Sequence, residues 1–247
     1  MVLEKAETLM NNYADIFIVK WYHVFCHPFY FIRKRLHESL TLLAPMLKGN
    51  VLDFGCGAKP YKALFTNADS YTGLDIEVSG HSHKNEEIDV YYDGKTIPFN
   101  DNHFDHVFAT EVFEHVFNID EILPEIYRVV KPGGYLLITC PFVWPEHEKP
   151  YDFARYTSFG IQQVLQKNGF EVAQFIKAGN FIETHAQLSM FLLYCYLPKK
   201  PNILYLLLHQ LFILPIIVAI SILNKLLPEK IKRNDLYSNN IVLAVKK

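Results

Sequence analysis

The chain has 247 residues, half of them hydrophobic, including 19 Phe and 15 Tyr, with a formal net charge of −2. That composition supports one sizeable core with additions and excludes a disordered chain, while the near-neutral charge excludes a general nucleic-acid footprint. Cys26, Cys56, Cys140 and Cys195 are widely scattered and give neither a disulfide framework nor a zinc spacing, as expected in a reducing cytosol.

Residues 1–46 read as an N-terminal helical cap, broken near Pro28 and carrying the basic cluster Arg33-Lys34-Arg35. The N-terminus lacks the basic-then-apolar layout of a signal peptide, so a cytoplasmic protein is expected. There is no internal repeat. Lys48-Gly49-Asn50 turns into the apolar run Val51-Leu52-Asp53-Phe54, which breaks into Gly55-Cys56-Gly57. This reads as a buried parallel strand followed by a tight loop that lets the backbone approach a ligand. A helix is expected from about Tyr61 to Thr66. Tyr71 to Asp75 is a second strand, and Asp75 lies 20 positions after Gly55, where an open α/β sheet places an acid for ribose hydroxyls. The stretch His81-Ser82-His83-Lys84 reads as a solvated loop.

Asp93-Gly94 precedes Ile97-Pro98-Phe99, a strand from Phe104 to Phe108 follows, and then comes Thr110-Glu111-Val112-Phe113-Glu114-His115-Val116. The helix Ile119–Val130 starts with Asp120 and Glu121, which suit a helix N-terminus. Lys131-Pro132-Gly133-Gly134 stops it and launches a strand from Tyr135 to Thr139. Thr157 is a candidate N-cap for a helix Ser158–Lys167 ending at Asn168-Gly169. Strands Phe170–Lys177 and Asn240–Val245 complete the set.

With these motifs in order, the chain resembles the class I S-adenosylmethionine-dependent methyltransferases, in particular the type 11 small-molecule branch. The resemblance covers roughly 47–175 and resumes at 240–245. It implies a doubly wound α/β fold, a mostly parallel seven-stranded Rossmann-like sheet of order 3-2-1-4-5-7-6 with strand seven antiparallel. It divides the chain into a cap (1–46), a cofactor-binding domain (47–179 and 237–247) and a helical insertion (180–236). It also implies S-adenosyl-L-methionine as cofactor. Asp53 would meet the ammonium group, Gly55 and Gly57 the backbone approach, Asp75 the ribose, and Ile76, Asp93 and Gly94 the adenine, with Asp89 a weaker candidate. Thr110 and Glu111 would line the sulfonium end, and His115 is a further cofactor-binding candidate. A dinucleotide is disfavoured because Pro60 stands where that fingerprint needs a third small residue beside the pyrophosphate.

The segment Pro141 to Thr157 follows strand five at the carboxyl edge, where an acceptor should sit. His147 has the pKa range of a general base for a hydroxyl acceptor. Asp152 either orients that histidine or binds sugar hydroxyls, and Arg155 either binds a substrate anion or pairs with Asp152. These three are the catalytic candidates, and the candidate base His147 alone favours O-methylation over N- or C-methylation. Glu111, Glu114 and His115 have the E-x2-E-H spacing that small-RNA 2′-O-methyltransferases use with a distant histidine to hold a metal. His147 is the candidate for that histidine, but many type 11 relatives carry the same Glu-His pair as a structural element, so no metal is assigned.

The insertion holds the apolar stretch 203–227, about 37 Å long as a helix, interrupted by His209, Gln210, Pro215, Asn224 and Lys225. A single crossing would leave the last strand on the wrong side of a membrane. Two readings stand beside a true span: a hairpin lying in a membrane interface, and a buried lid or homodimer contact. The excess of basic residues tilts toward peripheral association at the inner face of a membrane, which favours a lipid-linked or otherwise apolar acceptor among the expected small-molecule, glycan and lipid-linked classes. A cofactor-binding scaffold and an NAD-dependent oxidoreductase are the rival function classes.

Overall fold

The computed structural model describes residues 17–20, 23, 27–77, 87–196, 211, 215–216, 218–220, 222–224, 226–228 and 233–247. The His81–His83 pair and most of 203–227 lie outside them. Two compact units form, Met1–His37 with Ala178–Ser238, and Glu38–Lys177 with Asn239–Lys247.

The second unit is built on a seven-stranded sheet of order β3-β2-β1-β4-β5-β7-β6. Its strands are β1 (Gly49–Phe54), β2 (Ala68–Ile76), β3 (Val90–Tyr92), β4 (Phe104–Thr110), β5 (Val130–Pro141), β6 (Phe170–Ala178) and β7 (Asn239–Lys246). Strands β1 to β5 run parallel, and β7 pairs antiparallel with β5 from Tyr135↔Val245 to Pro141↔Asn239. The central strands are covered on both faces, so they read as continuous apolar runs rather than alternating ones. Leu52, Val107, Leu136, Ile138, Val242 and Ala244 are all fully buried in one core.

Helix α1 (Tyr30–Leu43) precedes the sheet, and helices α2 (Ile119–Val129) and α3 (Ser158–Lys167) belong to the second unit. On α2 the residues Ile122, Leu123, Ile126 and Val129 form one apolar stripe that packs into the core. Thr157 caps α3 as expected, its Oγ1 accepting the Gly160 N–H at 3.0 Å.

Two elements differ from expectation. The helix expected after the glycine loop is a single 3-10 turn, Lys62–Leu64. Lys59 takes φ 52°, Pro60 has no N–H, and the buried Tyr61 and Phe65 anchor a segment that must reach β2 by Ala68. Strand five starts earlier, at Val130, which pairs with Phe104. The Lys131–Gly134 turn then loops out where the register shifts between Phe104 and His106.

In the first unit, helix α4 (Phe181–Tyr196) starts at Asn180, whose Oδ1 accepts the N–H groups of Ile182 and Glu183. Glu183 receives Arg35 in a two-bond fork at 2.9 and 2.6 Å and also the Asn224 amide at 2.8 Å. Tyr30, Phe31, Ala186 and Met190 pack beside this network. No helix among the described residues is long and apolar enough to cross a membrane.

Candidate active site

Strand order places the ends of β1, β2, β4 and β5 along one carboxyl edge, where open α/β sheets bind ligands. Asp53 and Phe54 close β1, Asp75 and Ile76 close β2, and Thr110 closes β4. Gly55 and Gly57 take φ of +69° and +45° as the chain turns away. The Gly55 and Cys56 N–H groups donate to the Leu74 carbonyl at 2.8 and 3.2 Å, and the Gly57 N–H donates to Asp75 Oδ2 at 2.8 Å. A Cβ on Gly55 would lie 2.5 Å from Val112 Cγ2, so only glycine lets the loop and the β4 loop approach this closely.

Asp53 is 2% exposed. Its Oδ2 accepts the Tyr71 hydroxyl at 2.6 Å, whereas Oδ1 is buried with no hydrogen-bond partner. Burial pushes this carboxyl up to about 7, against the lowering effect of the Tyr71 hydrogen bond. An orphaned carboxylate oxygen at the glycine turn fits a cationic group such as an amino acid ammonium. Asp75 is buried, with Oδ1 accepting the Ile76 N–H and Oδ2 the Gly57 N–H.

Asp89, the weaker adenine candidate, immediately precedes β3. It accepts the Lys59 ammonium and the Gly73 N–H, both at 2.6 Å, and these two bonds hold it below the usual carboxylate range although its partial burial raises it. Lys59 was not singled out in the sequence, yet this bond braces the glycine loop against β2. Asp93 accepts the Lys95 and Thr96 N–H groups at 2.9 and 2.8 Å, which lower its pKa, and Asn118 donates to the Gly94 carbonyl. The following residues are clamped by Arg128, which donates to the Ile97 and Phe99 carbonyls.

On the β4 and β5 side, Thr110 Oγ1 lies 2.9 Å from Thr139 Oγ1. Glu111 adopts φ +55°, an uncommon conformation for a residue with a side chain. Its Oε1 accepts from Thr139 Oγ1 at 2.8 Å and Asn239 Nδ2 at 2.6 Å. Glu114, in the 3-10 turn Phe113–His115, is fully buried, and neither carboxyl oxygen has a hydrogen-bond partner. Burial, and then Glu111, push its carboxyl well above the ordinary value. The Glu114 carbonyl accepts from Phe153 and Ala154, which pins the loop after β5 to the turn after β4.

That pinning brings His147 to His115, Nε2 to Nε2 at 3.2 Å, across 32 positions of sequence. His115 Nδ1 lies 2.6 Å from the Tyr151 carbonyl, which only accepts, so Nδ1 carries the hydrogen. His147 Nδ1 lies 3.2 Å from Asp152 Oδ2 and 3.4 Å from an Arg155 nitrogen. Burial, and then His115, hold His147 below the usual histidine range, so it is neutral at pH 7. Arg155 grips Asp152 at 2.5 and 2.6 Å and donates to the Trp144, Pro145 and Ala154 carbonyls. Both residues therefore hold the loop that carries His147.

The sequence candidates fall into two groups along the edge: Asp53, Gly55, Gly57, Asp75, Ile76, Asp93 and Gly94 at β1 to β3, and Thr110, Glu111, His115, His147, Asp152 and Arg155 at β4 and β5.

Residues 52–138 match the family model described as a methyltransferase domain. The fatty-acid O-methyltransferase of Mycolicibacterium smegmatis is 33% identical over 115 residues, 42% of each chain. A ubiquinone/menaquinone biosynthesis C-methyltransferase of Pseudoalteromonas translucida is 33% identical over 90 residues, 35% of this chain and 36% of that one. The chain thus spans less than half of these curated relatives. The solved phosphoethanolamine N-methyltransferase 2 of Haemonchus contortus, in complex with S-adenosyl-L-methionine, shares the fold with a TM-score of 0.50. It is 21% identical, and the likeness covers 100% of this chain and 60% of that one.

Proposed function

We propose that the protein, whose residues 52–138 match a methyltransferase-domain model, is a class I methyltransferase that binds S-adenosyl-L-methionine at the β1–β2 edge and methylates an oxygen of an apolar or lipid-linked acceptor. One observation carries this reading. The same edge presents a buried carboxylate with an orphaned oxygen, Asp53 Oδ1, and, two strands along, a paired imidazole cluster. In this reading Asp53 holds the ammonium group, Asp75 the ribose hydroxyls, and Asp93 with Gly94 the adenine, while Gly55 and Gly57 let the backbone close on the ligand.

When bound, S-adenosyl-L-methionine supplies a methyl carbon on a positively charged sulfur that departs as a neutral thioether. The chain's own contribution is alignment, together with removal of the acceptor's hydroxyl proton. The His115–His147 pair supplies a nitrogen lone pair for that proton, with Asp152 and Arg155 holding the His147 ring in place. Glu111, fixed by Thr139 and Asn239, contributes negative charge beside the sulfur's position.

The relatives' names span O-, C- and N-methylation, so the family leaves the methylated atom open. The imidazole pair supports oxygen. An apolar acceptor is supported by two relatives named for fatty acid and quinone chemistry. It is also supported by the exposed Leu211, Ile216, Ile222, Leu223 and Leu226, which suit a membrane interface.

Calorimetry with S-adenosylhomocysteine tests the cofactor claim: micromolar binding by the wild type, lost in Asp75→Asn. A folded wild type that binds neither this product nor S-adenosyl-L-methionine, with or without anionic vesicles, overturns it. Transfer of labelled methyl from S-adenosyl-L-methionine into a lipid extract then tests the acceptor class.

A further inference from the structure

We propose that Glu114, His115 and His147 bind one divalent transition-metal ion, with a coordination position left for the acceptor's oxygen. The sequence reading assigned no metal here. One ligand atom from each residue lies within 4.8 Å of the others. Two imidazole nitrogens bound to one tetrahedral ion at about 2.0–2.1 Å stand about 3.3 Å apart. The two Nε2 atoms are 3.2 Å apart. Glu114 Oε1 lies 3.8 Å from His115 Nε2, and Glu148 Oε2 lies 3.9 Å from it on the other chain segment. Movement of the Glu114 carboxylate toward the two nitrogens completes an N2O set.

The independent observation is Glu114. Its carboxyl is fully buried with both oxygens unpartnered, although buried polar groups ordinarily find partners. A bound cation satisfies it. The supporting groups are those a metal site needs. His115 gives its Nδ1–H to the Tyr151 carbonyl, which leaves the Nε2 lone pair for the ion. His147 has two tautomers. With the hydrogen on Nε2 it donates to His115 and takes the Arg155 contact. With the hydrogen on Nδ1 it faces Asp152 Oδ2 at 3.2 Å and frees Nε2 for metal. Metal binding selects the second. Two imidazoles with a carboxylate favour zinc, iron, cobalt or manganese over magnesium or calcium.

Ion binding stands on this geometry alone. Its role rests on the methyl-transfer reading: a bound ion would acidify the acceptor hydroxyl, whose proton would pass to solvent water, and His147 would then be a ligand in place of the base role it has in the metal-free reading.

Chelator-stripped full-length protein is titrated with Zn2+ by calorimetry and with Co2+ by visible absorption. The expected result is one equivalent bound at micromolar or tighter affinity, with the ligand-field bands of a nitrogen- and oxygen-bound cobalt. His147→Gln and Glu114→Gln each weaken binding at least a hundredfold, and Asp152→Asn, a positioning change, weakens it ten- to a hundredfold. Circular dichroism and S-adenosylhomocysteine binding certify that each variant is folded. A folded wild type that takes up no stoichiometric ion overturns the proposal. So does undiminished binding in both His147→Gln and His115→Gln. Product binding without metal binding sinks this inference alone, and the reverse sinks the methyltransferase reading alone.

Discussion

Replacing Asp53 with Asn should flatten the pH dependence of stability. The Asp53 carboxyl stands at about 7 in the folded protein, raised chiefly by burial from an ordinary 3.8. Three pKa units correspond to about 4 kcal/mol. The sign follows from which state holds the proton. Below pH 4 both states are protonated and the contribution is fully present. As pH rises toward 7 the unfolded chain releases its proton while the folded one keeps it, and stability falls. Above 7 the folded state carries the whole cost of a buried anion. An amide cannot ionise, and its oxygen still accepts the Tyr71 hydroxyl. The difference in unfolding free energy between Asp53→Asn and wild type should therefore shift toward the variant by about 4 kcal/mol between pH 4 and 8. Urea denaturation of both proteins across that range measures it. Curves that stay parallel to within about 1 kcal/mol would refute the assignment of a buried, proton-holding carboxyl. The cofactor reading adds a second outcome. S-adenosylhomocysteine should bind wild type more tightly as pH rises through about 7, because its ammonium needs the ionised form. Asp53→Asn should bind weakly at every pH.

Gly55→Ala places a Cβ 2.5 Å from Val112 Cγ2 at φ +69°; thermal melts should show a loss of about 1–3 kcal/mol, and product binding should disappear. Arg155→Ala removes five hydrogen bonds to four residues of the loop after β5. It should cost about 2–3 kcal/mol and abolish methyl transfer while S-adenosylhomocysteine still binds, a split that calorimetry beside an activity assay resolves. Thr157→Ala deletes the cap on α3 and should cost about 1 kcal/mol by urea titration without changing product affinity.

Local patterning determined much of this protein. The buried runs around Leu52, Val107 and Leu137 announced parallel strands, because a strand covered on both faces has no polar side. Glycines 55 and 57 marked a turn that needs positive φ, and Thr157 marked its helix start, because both depend on a few neighbouring residues. The strand order came with the family resemblance, and the sheet has that order. What tertiary structure alone decided is how distant groups meet. The helix expected after Gly57 gave way to one turn because Lys59 and its partner Asp89 brace the loop against β2. Arg155 could have faced a substrate anion as far as sequence shows, but the folded loop saturates it with Asp152 and three carbonyls. The E-x2-E-H spacing marked Glu114 and His115, with His147 as the candidate distant histidine, but no spacing shows that the three side chains meet. They meet because β4 and β5 are neighbours and because the Glu114 carbonyl pins the loop that carries His147.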